Sequence, residues 1–189
     1  MKQSTALLLI DTQYDFCHPE GALFVPGAEE DVVRIANFIQ RGGTSLHHIV
    51  ATLDTHQVID ISHPRFWQDT QGSSPTPFTF ISHKEVVDGK WTPLFSYEQS
   101  VNYLHTLEKQ GEFQHIIWPE HCLVGTLGAT LDATISQALY NWTTHTNKNV
   151  HTISKGIYPL TEHFGIFEAQ VQLDNIPDTQ LNTLLLEEL

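Results

Sequence analysis

The run Ala6-Leu7-Leu8-Leu9-Ile10, closed by Asp11, constrains the fold more than any other stretch of the chain. Five apolar residues without alternation do not suit a strand with one wet face. They suit a strand buried on both faces, as in a parallel sheet covered by helices. The run is too short to span a bilayer, and it passes directly into polar residues. "EEDVVRIANFIQRGG" follows, with apolar residues at 32, 33, 35, 36, 38 and 39, acids at its start and Arg-Gly-Gly at its end. That pattern predicts an amphipathic helix with charges matched to its dipole. "HHIVATLD" then predicts a second strand ending at Asp54. A β-α-β opening implies a right-handed crossover and an α/β sheet.

Pro64, Pro75, Pro77 and Pro93 break up residues 57–95, and "TQGSSPTP" reads as a loop. "SYEQSVNYLHTLEKQG" predicts a helix with Ser96 as N-cap and Gly111 just past its end. "QHIIW" predicts a third short strand. "TLDATISQALYNWTTH" predicts a helix with Leu131, Ile135, Leu139 and Trp142 along one side, and "NVHTISKG" a fourth strand. The tail, with Leu181, Leu184, Leu185 and Leu189, begins like another helix. The whole, residues 1–189, reads as one domain: an α/β, doubly wound parallel sheet with helices on both faces. In such sheets ligands sit beyond the carboxyl ends of the strands. Asp11, Asp54, His56, His121 and Lys155 all lie at or just past the end of an apolar run, so the order of elements sends them to one rim.

Composition narrows the function. The net charge is −13 with only nine Lys and Arg, and none of these cluster. A phosphate backbone or an anionic membrane needs clustered cations, so nucleic acid and membrane surfaces are not expected partners. Two cysteines far apart make no disulfide scaffold, and with no signal peptide the expected compartment is a reducing cytoplasm.

Three short patterns carry chemistry. In "LDTHQVIDISH", Asp54 and His56 are two apart, so both point to one side of an extended segment. A carboxylate and an imidazole on one side form half a site for Zn, Fe or Mn. His63 and His121 are candidate further ligands. The same residues equally suit a helix cap and solvated histidines. Asp11, at the end of the first strand, reads as a hydrogen-bond acceptor for loop amides or as a general base. Lys155 reads as a surface lysine, or as a cation held charged by a neighbour such as Asp11, able to stabilise a thiolate or an oxyanion.

Four islands together resemble the isochorismatase-like cysteine hydrolases, and within them the nicotinamidases: "ALLLIDTQYDFCHPEGALFVPGAEE", "VATLDTH", "WPEHCLVGTLGA" and "ISKGIYPLTEHFGIF". The resemblance implies that Asp11 is the catalytic acid and Lys155 the catalytic lysine. It makes Asp54, His56 and His121 metal ligands, with His63 a further one. Phe16 and Trp118 match the aromatics that flank a flat ring, which gains stacking and dispersion from two such walls. In "WPEHC" the histidine is then the ligand, and Cys122, like Cys17, is a packed bystander.

The same resemblance places the nucleophilic cysteine on a later element than any present in these residues. The expectation is therefore a sheet incomplete at its C-terminal side, truncated before the nucleophile, with a lobe inserted around 64–113. In a complete relative a thiolate would attack a linear amide C–N bond, ammonia would leave and water would hydrolyse the thioester. The cofactor implied is a divalent metal ion, the substrate a small amide such as nicotinamide, and the expected assembly a homo-oligomer or a pairing with a complementing chain. This chain by itself is expected to bind metal without amidase turnover. Two alternatives stand beside it: a non-catalytic metal- and ligand-binding remnant that pairs with a partner, and a hydrolase that uses a zinc-activated water directly.

Overall fold

The computed structural model describes residues 5–188. Its principal elements run β1 (Ala6–Leu9), α1 (Tyr14–Cys17), α2 (Ala28–Gly42), β2 (His48–Asp54), β3 (Trp67–Gln68), α3 (His83–Val87), β4 (Thr92–Pro93), α4 (Tyr97–Gln110), α5 (Ala133–Thr146), β5 (His151–Lys155) and α6 (Thr183–Glu188). β1, β2 and β5 form a parallel sheet in the order β1-β2-β5. Burial on both faces, expected of the Ala6–Ile10 run, is found in the central strand instead: Ile49, Val50 and Ala51 of β2 are fully buried, whereas in β1 only Leu9 is buried and Leu7 and Leu8 are half-buried. The register sets Leu9 opposite Ala51 and Asp54 opposite Lys155, so the strand ends that carry Asp11, Asp54 and Lys155 finish level. β1 stands at one end of the strand order, and Ile10 beyond it is exposed.

One face of the sheet is covered by α2 and α5. Val32 and Ile39 of α2 and Ile135, Leu139 and Trp142 of α5 pack on Leu9, Ile49 and Ala51. Both helices are specified locally. α2 has Glu29, Glu30 and Asp31 in its first turn and Arg41 in its last. α5 starts at Asp132, whose Oδ1 accepts from the Thr134 amide at 2.7 Å. The other face is covered more thinly, by Ile166 and Leu185 on Val50, with Leu8, Ile153 and Phe167 beside them. Of the expected tail leucines, Leu185 is buried, Leu181 and Leu184 are exposed, and Leu189 lies outside the described residues.

A second apolar cluster fills the space beside the sheet. Ile61, Phe66 and Trp67 pack with Ile81, Val86, Tyr103, Leu104, Leu107 and Ile117, and Leu160 and Val171 join them from beyond β5. Two expectations are corrected here. "QHIIW" is not a strand of the parallel sheet. It pairs with residues 79–81 instead, the Ile117 amide donating to the Thr79 carbonyl and the Ile81 amide to the His115 carbonyl, with an antiparallel bridge between Ile116 and Phe80. Ser96 does not cap α4 with its hydroxyl. Its backbone is left-handed at φ 53 and its side chain makes no capping bond. Gly111 does end that helix in a left-handed conformation. No helix among the described residues is long and apolar enough to cross a membrane.

Candidate functional site

The ends of β1, β2 and β5 place three charged side chains in a row. Lys155 Nζ lies 3.1 Å from Asp11 Oδ2 and 2.9 Å from Asp54 Oδ1, and it also donates to the His163 carbonyl at 3.1 Å. Burial disfavours the ammonium, but Asp54 and Asp11 outweigh it and raise the Lys155 pKa. Thr52 Oγ1 donates to Asp11 Oδ1 at 2.7 Å and accepts from the Asp11 amide at 3.0 Å. Asp11 is thereby held with φ at 51, a conformation uncommon outside glycine.

The second oxygen of Asp54 faces two imidazoles. Oδ2 is 3.2 Å from His56 Nε2 and 3.3 Å from His121 Nε2, and one donor atom from each of the three residues lies within 4.8 Å of the others. All three are buried. His56 Nδ1 faces Asp60 Oδ2 at 3.2 Å, and His121 Nδ1 faces the Pro119 carbonyl at 2.8 Å. Both of those partners are acceptors, so each Nδ1 carries a proton. The two Nε2 lone pairs then converge on a carboxylate oxygen. Three acceptors in that arrangement repel unless a cation lies among them or a ring takes a second proton. A carboxylate and two imidazoles, each with its outer nitrogen fixed, are a donor set suited to Zn, Fe or Mn. The residues present therefore fit a divalent ion. Without one, burial is outweighed by Asp54 and Asp60, and the His56 pKa rises to about 10. Asp54 likewise is held well below its usual range, burial notwithstanding, by His121, His56 and Lys155.

His63 adjoins this group without joining it. Its Nε2 lies 3.4 Å from His121 Nδ1, on the side away from Asp54, and its Nδ1 faces the Gln57 carbonyl. Burial, aided by the charge on His56, lowers its pKa to about 4 and keeps the ring neutral. The Phe16 ring meets His121 edge-on at 5.5 Å between centroids. Trp118 meets Phe78 edge-on at 6.1 Å, and Phe78 has a left-handed backbone at φ 68.

Several residues that hold this frame were not singled out from sequence. Gln13 acts as a stand-in for a neighbouring strand: its Oε1 accepts from the Asp54 amide and its Nε2 donates to the Asp54 carbonyl, both at 2.7 Å. Asp15 Oδ2 accepts from the Cys122 amide at 2.7 Å, pinning the turn after His121. Gly128 lets that carboxylate approach, since a Cβ there would stand 2.0 Å from Asp15 Oδ2. Gly156, at φ 77 directly after Lys155, would press a Cβ to 3.1 Å from Asp54 Oδ1. No short sequence pattern reports Gln13 and Asp15, because the partners they hold lie 41 and 107 residues away.

Neither cysteine stands as a poised thiolate. Cys122 is fully buried, with Sγ directed to the Gly128 carbonyl at 3.8 Å. Burial and the carboxylates of Asp54, Asp15 and Asp11 push its thiol far up. Cys17 is buried among the α2–α5 residues, and burial with Asp132 and Asp31 raises its pKa to about 11.

No family model matches the chain. A nicotinamidase of Saccharomyces cerevisiae is 26% identical over 180 residues, which cover 95% of this chain and 68% of that protein. The solved yeast nicotinamidase superposes with a TM-score of 0.62 at 24% identity, over 96% of this chain and 69% of the other. A nicotinamidase and pyrazinamidase of Acinetobacter baumanii gives 0.60 at 19% identity, over 100% and 67%. The structural likeness fixes the fold, and the sequence match runs along nearly the whole chain. The chain thus has the α/β fold of the solved nicotinamidases and is similar in sequence to one of them along nearly its whole length.

Proposed function

We propose that these residues form the acid, lysine and metal part of an amidase site that hydrolyses the linear C–N bond of a flat heteroaromatic amide, nicotinamide or one like it. The observation that carries this reading is the row Asp11–Lys155–Asp54, with Lys155 Nζ 3.1 and 2.9 Å from the two carboxylates. Asp11 Oδ1 is occupied by Thr52, so Oδ2 is the oxygen free to take a thiol proton once Lys155 shifts toward the thiolate. Lys155, kept charged, stabilises that thiolate. The thiolate adds to the amide carbonyl, ammonia leaves with the proton relayed by Asp11, and water hydrolyses the thioester. A divalent ion held by Asp54, His56 and His121, with His63 behind His121, would supply a Lewis-acid anchor for a ring nitrogen or a water. Phe16 and Trp118 would wall the ring. Residues 64–113 are read as a lobe inserted in a single domain over the pocket mouth, and Trp118 meets Phe78 of that segment edge-on. A second copy or a complementing chain would occupy the free edge of β1.

The thiolate in this reading comes from a cysteine that these 189 residues do not contain, because Cys17 and Cys122 are buried with raised pKa values. The same observation favours a second reading, in which the chain binds metal and ring without covalent catalysis. One experiment separates them. The metal-loaded 189-residue chain is expected to bind nicotinamide but release no ammonia. A protein that contains these residues together with the nucleophile releases ammonia, loses release in Lys155→Ala and Asp11→Ala, and keeps it in Cys17→Ala and Cys122→Ala. Loss of turnover in Cys122→Ala alone overturns the assignment of the nucleophile. Turnover untouched by Lys155→Ala overturns the mechanism.

A further inference from the structure

We propose that Asp60 is a positioning residue for the metal ligand His56, with its two carboxylate oxygens assigned to two separate jobs. The inference rests on the metal part of the proposed function. Asp60 is 2% exposed. Its Oδ1 accepts from the Ser62 amide at 3.0 Å and from the Ser62 hydroxyl at 2.7 Å, which fixes a local turn. Its Oδ2 makes no part of that turn and lies 3.2 Å from His56 Nδ1, on the side of the ring away from Asp54. The Asp60 carbonyl also accepts from the His63 amide at 2.9 Å, so one residue anchors both histidines of the loop.

The other histidine of the cluster is backed differently. His121 Nδ1 has a neutral carbonyl, that of Pro119, at 2.8 Å. A carboxylate on Nδ1–H does more than a carbonyl. It fixes the tautomer, locks the ring plane and increases the electron density at Nε2, making it the stronger donor to a cation. It also brings a second negative charge next to Asp54, so that two carboxylates flank His56 and balance a divalent ion. His56 is in this account the dominant nitrogen ligand and His121 the weaker one.

Replacing Asp60 by Asn separates the two jobs. The amide oxygen of Asn can keep the turn with Ser62. Its NH2 then faces His56 Nδ1 and requires that nitrogen to accept. The ring proton moves to Nε2, and the lone pair that would bind metal is lost. A purely structural Asp60 would not notice this exchange.

The test uses metal-stripped protein titrated with Co2+, read by its visible d–d bands, and with Zn2+ against a chromophoric chelator. The unaltered chain is expected to bind one equivalent of either ion. Asp60→Asn is expected to bind about 10- to 100-fold more weakly, with displaced Co2+ bands, while unfolding of the stripped protein is unchanged. Affinity within about twofold of the unaltered chain, with the same bands, overturns the inference and leaves the metal site standing. Failure of the unaltered chain to bind either ion overturns the metal site itself. Where Asp60→Asn does not fold, the His56 tautomer is read by nitrogen-15 NMR in the Zn2+-loaded unaltered protein. A proton on Nδ1 supports the inference, and a proton on Nε2 sinks it.

Discussion

The two packed regions that meet at the site are built from different materials. The α2–α5 face of the sheet buries Val32, Ile39, Ile49, Ala51, Ile135, Leu139 and Trp142 against one another, and Asp132 sits at its margin as the cap of α5. The region beside the sheet, or lobe, buries a comparable set around Trp67, Tyr103 and Leu104, with Ile61, Ile117, Leu160 and Val171 among them, but a histidine is threaded into it. His115 is 3% exposed, with its ring 5.7 Å from that of Trp67 and Nδ1 3.5 Å from the Tyr103 hydroxyl. The first region is governed by volume and the second by volume and protons together. The site spans them: Asp54 ends a sheet strand, and His56 and His63 lie on the chain entering the lobe. The largest expected effect tests the sheet side. Ile49→Ala, at a fully buried position of β2, is expected to cost about 4 kcal/mol by the cavity it opens. Urea midpoints should fall equally at pH 7 and at pH 5. A loss that differs between the two pH values would show that the sheet face is not the proton-indifferent partner.

The lobe side is tested by acid. Burial lowers the His115 pKa to about 4, from an ordinary 6.5. Its folded pKa is depressed, so the unfolded chain binds the proton more readily. The stability His115 permits is present above pH 6.5 and is lost as pH falls from there toward 4. Its full span is about 3 kcal/mol. Glu162 pulls the opposite way: burial, then the charges of Asp60 and Asp54 against that of His56, push it up to about 8, which costs stability as pH rises from 4.5 toward 8. A single titration of the unaltered chain mixes the two. The difference between the unaltered chain and His115→Gln isolates the histidine, and should shrink by about 3 kcal/mol between pH 7 and pH 4. A difference that does not change with pH would mean His115 reaches water, and the contrast between the regions would fail.

The same contrast explains what could be read from sequence. The sheet region follows local rules. An unbroken apolar run makes β1, a helical period with matched end charges makes α2, and Asp132 starts α5, so these elements stand within a few residues of where the pattern sets them. Asp11, Asp54 and Lys155 were legible because strand ends in a parallel sheet finish level. The lobe does not follow local rules. "QHIIW" is apolar because it crosses the lobe core, and an apolar run reads the same in a buried loop as in a strand. Ser96 has the residue type of a cap but a left-handed backbone, so its hydroxyl is turned from the helix amides. Asp15 and Gln13 act on partners 107 and 41 residues away, and Asp60 acts through a ring nitrogen, so no short spacing reports them.

The smallest expected effect sharpens the comparison at the opposite face of the sheet. Val50 is fully buried there, yet among the described residues its apolar cover is Ile166 and Leu185 with three half-buried neighbours. Leu185 comes from α6, a helix of six residues, held by the Asn182 side chain at the Leu185 amide and by the Asn182 amide on the Phe167 carbonyl. So short a helix has little stability of its own and takes its order from packing. With Leu181, Leu184 and Leu186 exposed around it, α6 can slide to fill part of any space that Leu185 vacates. Leu185→Ala is therefore expected to cost about 2 kcal/mol, near the lower end for a buried leucine and about half the loss at Ile49. Urea midpoints of the two variants, taken side by side, make the comparison. Equal losses would mean that α6 is held as rigidly as α2 and α5, and that the thin face of the sheet is closed as firmly as the thick one.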